Sequence, residues 1–115
     1  MGKAAIVAGT GFQNRDGSMR SKLIQHYVGV NTLVYLHRES SNKHDGCAIA
    51  VLIKVPILFG LLGSVKKKIG YIKAGTAKSL AKKVDANEEV KAHVDSLYAP
   101  PDREHPRVTL WLDSQ

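Results

Sequence analysis

Short alternating segments dominate the pattern of apolar and polar positions. Val90, Ala92 and Val94 alternate with Lys91, His93 and Asp95, and Val108, Leu110 and Leu112 alternate near the C-terminal end; both read as half-buried strands. Ala4–Val7 is a short apolar strand ended by Gly9-Thr10-Gly11. Thr32–Arg38, Cys47–Val55 and Lys68–Ile72 have the β-branched and aromatic content of strands, and Pro56 argues against a central strand beyond that point. Two stretches break the pattern with helical spacing. Leu23, Ile24 and Tyr27 share one helical face, with Ser18 as the expected N-cap and Gly29 just past the end. Ala77, Leu80, Ala81 and Val84 form a second apolar stripe that leaves Lys78, Lys82 and Lys83 in water, with Thr76 as the expected cap. The expected fold class is therefore mainly β with two short helices: six short strands in a small barrel or strongly curved sheet that hides its edges. No repeat or linker divides the chain, and residues 1–115 read as a single domain.

The Cys47–Val65 run carries one charge, Lys54, and is followed by three lysines, as beside a cytoplasmic membrane face. A charge near the middle of a span costs about 2.5–3.5 kcal/mol on insertion scales. Pro56, Gly60 and Gly63 also interrupt the run, so it reads as a strand and a turn, and no membrane partner is expected. Nor does the N-terminus carry the apolar stretch of a secretory signal. The single cysteine forms no internal disulfide, which fits a cytoplasmic or nucleoid-associated protein. The formal net charge is +7, with lysines clustered at 66–68, 73, 78 and 82–83. Such an excess favours a polyanionic partner.

Catalytic and metal readings find little support. Gly9 and Gly11 resemble part of a dinucleotide fingerprint, but its third glycine would fall on Asn14 and no βαβ unit follows; the pair reads as a strand-end bend. His26, His37, His44, His93 and His105 show no ligand spacing, and there is no second cysteine. Cys47 opens an apolar strand and reads as a small buried hydrophobe rather than a partner of His44. No nucleophile elbow or phosphate loop is present, so no enzyme, metal site or cofactor is expected.

"RESSNKHDGCAIAV" followed by "KIGYIKAGTAKSLAKKVD" resembles the HIRAN domain signature, which runs R-E-P-x-N-P-Y-D-x-N-A-I-x-V, a hairpin, I-G-Y-[LI] and a helix. Arg38, Glu39, Asn42, Asp45, Ala48, Ile49, Val51, Ile69, Gly70 and Tyr71 match, and "VAGTGFQNRDGSMR" is similar to the opening of bacterial members. The resemblance implies a small OB-like barrel that binds DNA without catalysis. Some members are fused to DNA translocases, where they capture the free 3′ end of single-stranded DNA, and others are free-standing. It implies a role in DNA repair, replication restart or mobile-element processing. Asp45 matches the aspartate that meets the terminal hydroxyl, His44 stands in place of the stacking tyrosine, and Tyr71 and Phe12 match further stacking positions. Lys68 and Lys73 are the expected phosphate contacts, and Arg15 or Arg20 the candidates for an arginine missing at Gly11. Lys43 replaces a proline, and the 56–67 segment is longer than a tight hairpin, with an apolar tip at Ile57, Leu58, Phe59, Leu61 and Leu62. That tip either completes the core or docks a partner: a nuclease, a helicase, or a second copy in a homodimer.

Overall fold

A computed structural model describes residues 2–39, 47–85, 90–100 and 105–114. Among them the order is β1 (Gly2–Ala8), α1 (Arg20–Tyr27), β2 (Leu33–Arg38), β3 (Ile49–Pro56), β4 (Ser64–Ile72), α2 (Ala74–Asp85), β5 (Val90–Tyr98) and β6 (Arg107–Ser114). The strands close into an antiparallel barrel in the order β1-β4-β3-β2-β5-β6, an OB-like architecture. The six strands and two helices read from the sequence are all present.

Alternation decides which side chains fill the barrel. Ile49, Val51, Ile53 and Val55 point inward from β3, and Val108, Leu110 and Leu112 from β6; with Ile69 and Val94 they form the buried interior. Ile24 of α1 and Ala77, Leu80 and Ala81 of α2 pack against the same core, while Lys78, Lys82 and Lys83 are exposed. Cys47 is half-buried at the core margin.

The helix starts differ from the sequence reading. Ser18 does not cap α1: Asp16 accepts bonds from its backbone N–H at 2.9 Å and its hydroxyl at 2.6 Å, and Met19 takes the cap position without a side-chain bond. Tyr27 is exposed rather than packed with Leu23 and Ile24, and α1 ends on extended Val28 without a left-handed Gly29. Thr76 lies inside α2, which begins two residues earlier.

Barrel closure rests on β1, which is shared between two neighbours. Residues Gly2 to Ile6 pair with β6, and Val7 and Ala8 then pair with Ile72 and Tyr71 of β4. At this crossing the chains approach so closely that a Cβ on Gly70 would sit 2.5 Å from the Ala8 carbonyl oxygen and 2.6 Å from Val7 Cγ1. Only glycine fits there.

The same region of β4 holds a bulge. Val51 pairs with Gly70, but Leu52 pairs with Lys68, so Ile69 is an extra residue turned into the core. In a regular strand, residues three apart face opposite sides. The bulge instead puts Lys68 and Tyr71 on the same outer face.

Beyond Pro56 the β3–β4 hairpin continues to a tip spanning residues 57–63. Leu58 and Phe59 adopt left-handed backbone angles (φ 49 and 56), followed by Gly60 at φ 90. Phe59 is fully exposed, and Leu58, Leu61 and Leu62 are each at least 60% exposed. The tip does not complete the core.

Two glycines should respond oppositely to alanine. Gly70→Ala places a methyl against backbone and should destabilise the barrel by about 1–3 kcal/mol. Gly75→Ala in α2 meets nothing within 4 Å and should stabilise by about 0.5–1 kcal/mol. Urea titrations of both variants check the pair of signs.

Candidate nucleic-acid interface

The outer face near the β1–β4 crossing carries four of the eight expected site residues: Phe12, Arg20, Lys68 and Tyr71. Pairing sets Ala8, Tyr71, Ala50 and His37 in one row across β1, β4, β3 and β2. Gly9, at φ 74, turns the chain off β1, and the Phe12 N–H donates to the Gly9 carbonyl. Buried Thr10 donates to the Pro106 carbonyl at 2.7 Å, anchoring this turn to the approach of β6. The turn is a strand-end bend, as the glycine spacing suggests.

Phe12 is 66% exposed. A side chain on Gly9 would meet Arg20 Nη1 at 3.1 Å and Phe12 Cδ2 at 3.5 Å, so both residues crowd this glycine. Arg20 is buried, at the first position of α1. Its Nε donates to Asn14 Oδ1 at 2.9 Å and its Nη1 to the Gly9 carbonyl at 3.0 Å. The guanidinium carbon lies 5.4 Å from the Tyr71 ring centroid, within cation–π range. Arg20 thus binds the first loop to β4 and backs the Tyr71 ring. Asn14 completes the tie by donating to the Lys68 carbonyl at 2.8 Å.

Tyr71 is half-buried and its hydroxyl is fully engaged. It donates to Glu39 Oε1 at 2.8 Å and accepts from Lys68 Nζ at 2.7 Å, while Lys68 Nζ pairs with Glu39 Oε2 at 2.7 Å. The ammonium also lies 4.6 Å from the Tyr71 centroid. Burial alone would lower the Lys68 pKa, but bonding to Glu39 and Tyr71 and the attraction of the carboxylate outweigh it and raise the pKa above its usual value. Lys68 therefore stays charged, with Glu39 neutralising it locally.

Two further expected residues, Lys73 and Arg15, lie outside this cluster. Lys73 is exposed at the start of α2, where its backbone N–H donates to the Ile6 carbonyl. Arg15 is exposed in the Asn14–Gly17 turn and makes no hydrogen bond or ion pair among the described residues. Of the two arginine candidates, Arg20 reaches the Tyr71 ring. His44 and Asp45 lie outside the described residues. The chain leaving β2 and the chain entering β3 are joined beside Tyr71, where the Glu39 N–H donates to the Ala48 carbonyl at 2.8 Å. Among the described residues, no three histidine, cysteine or acidic side chains converge to hold a metal, and no helix is long and apolar enough to cross a membrane.

A family model described as the HIRAN domain matches residues 4–113. The chain belongs to the HIRAN domain family. HIRAN domains are DNA-binding modules, and generally non-catalytic ones. The crystal structure of the HIRAN domain of human HLTF is similar at a TM-score of 0.64 and 18% identity, over 98% of this chain and 74% of that one. A Lactobacillus plantarum protein is similar at a TM-score of 0.66 and 22% identity, over 97% of each chain. At these identities the likeness is one of fold. No curated protein sequence matches significantly. Within the HIRAN signature, the glycine of I-G-Y is the residue that β1 crosses, and the glutamate of R-E is the acceptor that orients the tyrosine.

Three residues of this HIRAN face were not among the site residues expected from the sequence. Tyr35 of β2 lies 5.2 Å from Lys54 Nζ and 4.5 Å from Lys66 Nζ, measured to the ring centroid. Lys54 and Lys66 are direct partners across β3 and β4. Strand alternation could have put these lysines on the outer face, but only the β2–β3 register brings Tyr35 to them.

Asp16, in the loop carrying Phe12, is paired with Lys67. The bond from Lys67, then those from the Ser18 hydroxyl and N–H, hold its carboxyl well below the usual carboxylate range. A carboxylate lowered on folding contributes stability that is present above its unfolded pKa of about 3.9 and lost as pH falls below it. Asp16→Asn should therefore melt below the wild type at neutral pH, with the gap closing beneath about pH 4. Melting curves from pH 2 to 8 check this.

Proposed function

We propose that this chain is a non-catalytic module for single-stranded DNA that seats the end of a strand against Phe12 and Tyr71. The supporting observation is the arrangement of those two aromatics around Arg20, with Phe12 exposed and the Tyr71 ring held by a guanidinium, an ammonium and a carboxylate. Bases stack on aromatic faces with little regard to sequence, and cations beside the rings meet the phosphates. Lys73 contributes charge near the pocket, and Arg15 lies farther along the same loop. His44 would form a second stacking surface and Asp45 would accept a hydrogen bond from a terminal 3′ hydroxyl. The biological setting of such a module is DNA repair, replication restart or mobile-element processing, in the cytoplasm or at the nucleoid.

Titration of labelled oligonucleotides with free and blocked 3′ hydroxyls across a salt series tests the reading. Tighter binding of the free end, weakening with salt, is expected. Equal affinity for both ends removes end capture, and absence of binding at low salt removes nucleic acid altogether. Tyr71→Ala should lose about 1–3 kcal/mol, the value of one stacked base. Asp45→Asn should reduce the preference for a free 3′ hydroxyl while leaving the melting temperature nearly unchanged.

A second reading comes from the hairpin tip, where Leu58, Phe59, Leu61 and Leu62 are exposed and two of the four hold strained backbone angles. Non-glycine residues in the left-handed region cost about 1–3 kcal/mol each and cluster at functional sites. This reading makes the protein an adaptor whose tip, with Ile57, docks a nuclease, a helicase or a second copy of the chain. For the homodimer form, sedimentation should show a concentration-dependent dimer that Phe59→Asp with Leu61→Asp abolishes without lowering the melting temperature. A wild type that stays monomeric at every concentration removes that form.

A further inference from the structure

Ion pairing within the fold does not account for the lysine pair on the β3–β4 hairpin. Lys54 and Lys66 face each other directly across the ladder on the outer face, and like charges so placed are destabilising. Their neighbours are neutralised: Lys67 by Asp16 and Lys68 by Glu39. Lys54 and Lys66 have no ion pair with a carboxylate among the described residues. Both ammonium groups converge instead on the half-buried ring of Tyr35. Two cations without a carboxylate partner beside one aromatic ring have the chemistry to meet a phosphodiester whose base stacks.

Its position links it to the pocket. Tyr71 pairs with Ala50, Ala50 with His37, and Tyr35 lies two residues from His37 on the same strand. Two strand spacings across and two residues along give about 12 Å between the two tyrosines. At about 3.4 Å per stacked nucleotide, that is three to four nucleotides, near the lower end of the roughly 4–16 nucleotides that an OB fold covers. The intervening outer positions are Leu52 and Lys68, paired in the same row as Tyr35.

We infer that Tyr35, Lys54 and Lys66 form a second nucleotide subsite, holding a single strand three to four nucleotides inward from the end seated at Tyr71. It rests on the single-strand reading of the pocket. The strand runs from the pocket across β3 and along the hairpin toward its apolar tip.

The test is a comparison of two- and six-nucleotide thymidine oligomers with free 3′ ends, bound to the full chain over a salt series. Lys54→Gln with Lys66→Gln should leave the dinucleotide unaffected. For the hexanucleotide it should lower the slope of log affinity against log salt by about 1.4, two phosphates at about 0.7 each. Tyr35→Ala should weaken the hexanucleotide roughly tenfold, in the range of one lost stacking platform. Tyr35→Phe, which keeps the ring, should bind as wild type. Hexanucleotide affinity and salt slope unchanged in the lysine and alanine variants overturn the subsite while leaving the pocket standing. So does an equal loss on both oligomers, which marks a general disturbance, or competition by polyglutamate as strong as that by the hexanucleotide, which marks a plain charge sink. Dinucleotide and hexanucleotide both failing to bind wild type at low salt overturns the pocket and the subsite together.

Discussion

The close crossing of β1 over Gly70 is the contact on which the rest depends. It lets one strand leave β6 and reach β4, which closes the barrel. The same contact sets Ala8 beside Tyr71 and so launches the Gly9–Phe12 turn directly over the outer face. A side chain at position 70 would push β1 away, and Arg20, which follows that loop, would lose its place against the Tyr71 ring. Stability and the candidate site share one steric requirement.

Electrostatics on this face is more selective than the net charge of +7 suggests. Lys68 is matched by Glu39 and Lys67 by Asp16, so these lysines serve to orient a tyrosine and to fasten a loop. A preset Tyr71 has little freedom left to lose, and under the proposed single-strand reading that ordering before binding favours affinity. Among the described residues, positive charge without a carboxylate partner lies elsewhere, at Arg15 and Lys73 and at Lys54 and Lys66 over Tyr35.

The hairpin resolves the apolar run of residues 47–65 into two different environments. Alternation sends Ile49, Val51, Ile53 and Val55 into the barrel. Past Pro56 the barrel wall has ended, and the equally apolar residues of the tip project into solvent. Hydrophobicity alone does not separate these halves, because it reports what a residue favours and not whether a partner surface is in reach.

The sequence by itself determined the strands and helices, since alternation and helical spacing are local properties; a family signature pointed to Tyr71 and Phe12, left Arg15 and Arg20 as alternatives, and Lys68 was an expected phosphate contact beside it. The helix starts shifted: Ser18 is held by Asp16 instead of capping α1, a competition that composition does not rank, and α2 begins two residues before Thr76. Only the tertiary structure decided what these residues do together. The bulge at Ile69 turned Lys68 onto the face of Tyr71, against the ordinary two-residue alternation. The barrel order brought Glu39, thirty-two positions away, to the Tyr71 hydroxyl, and the β2–β3 register carried Tyr35 to Lys54 and Lys66. Pairing between distant strands depends on the closure of the whole sheet, and no local pattern in the chain encodes which residue will lie opposite which.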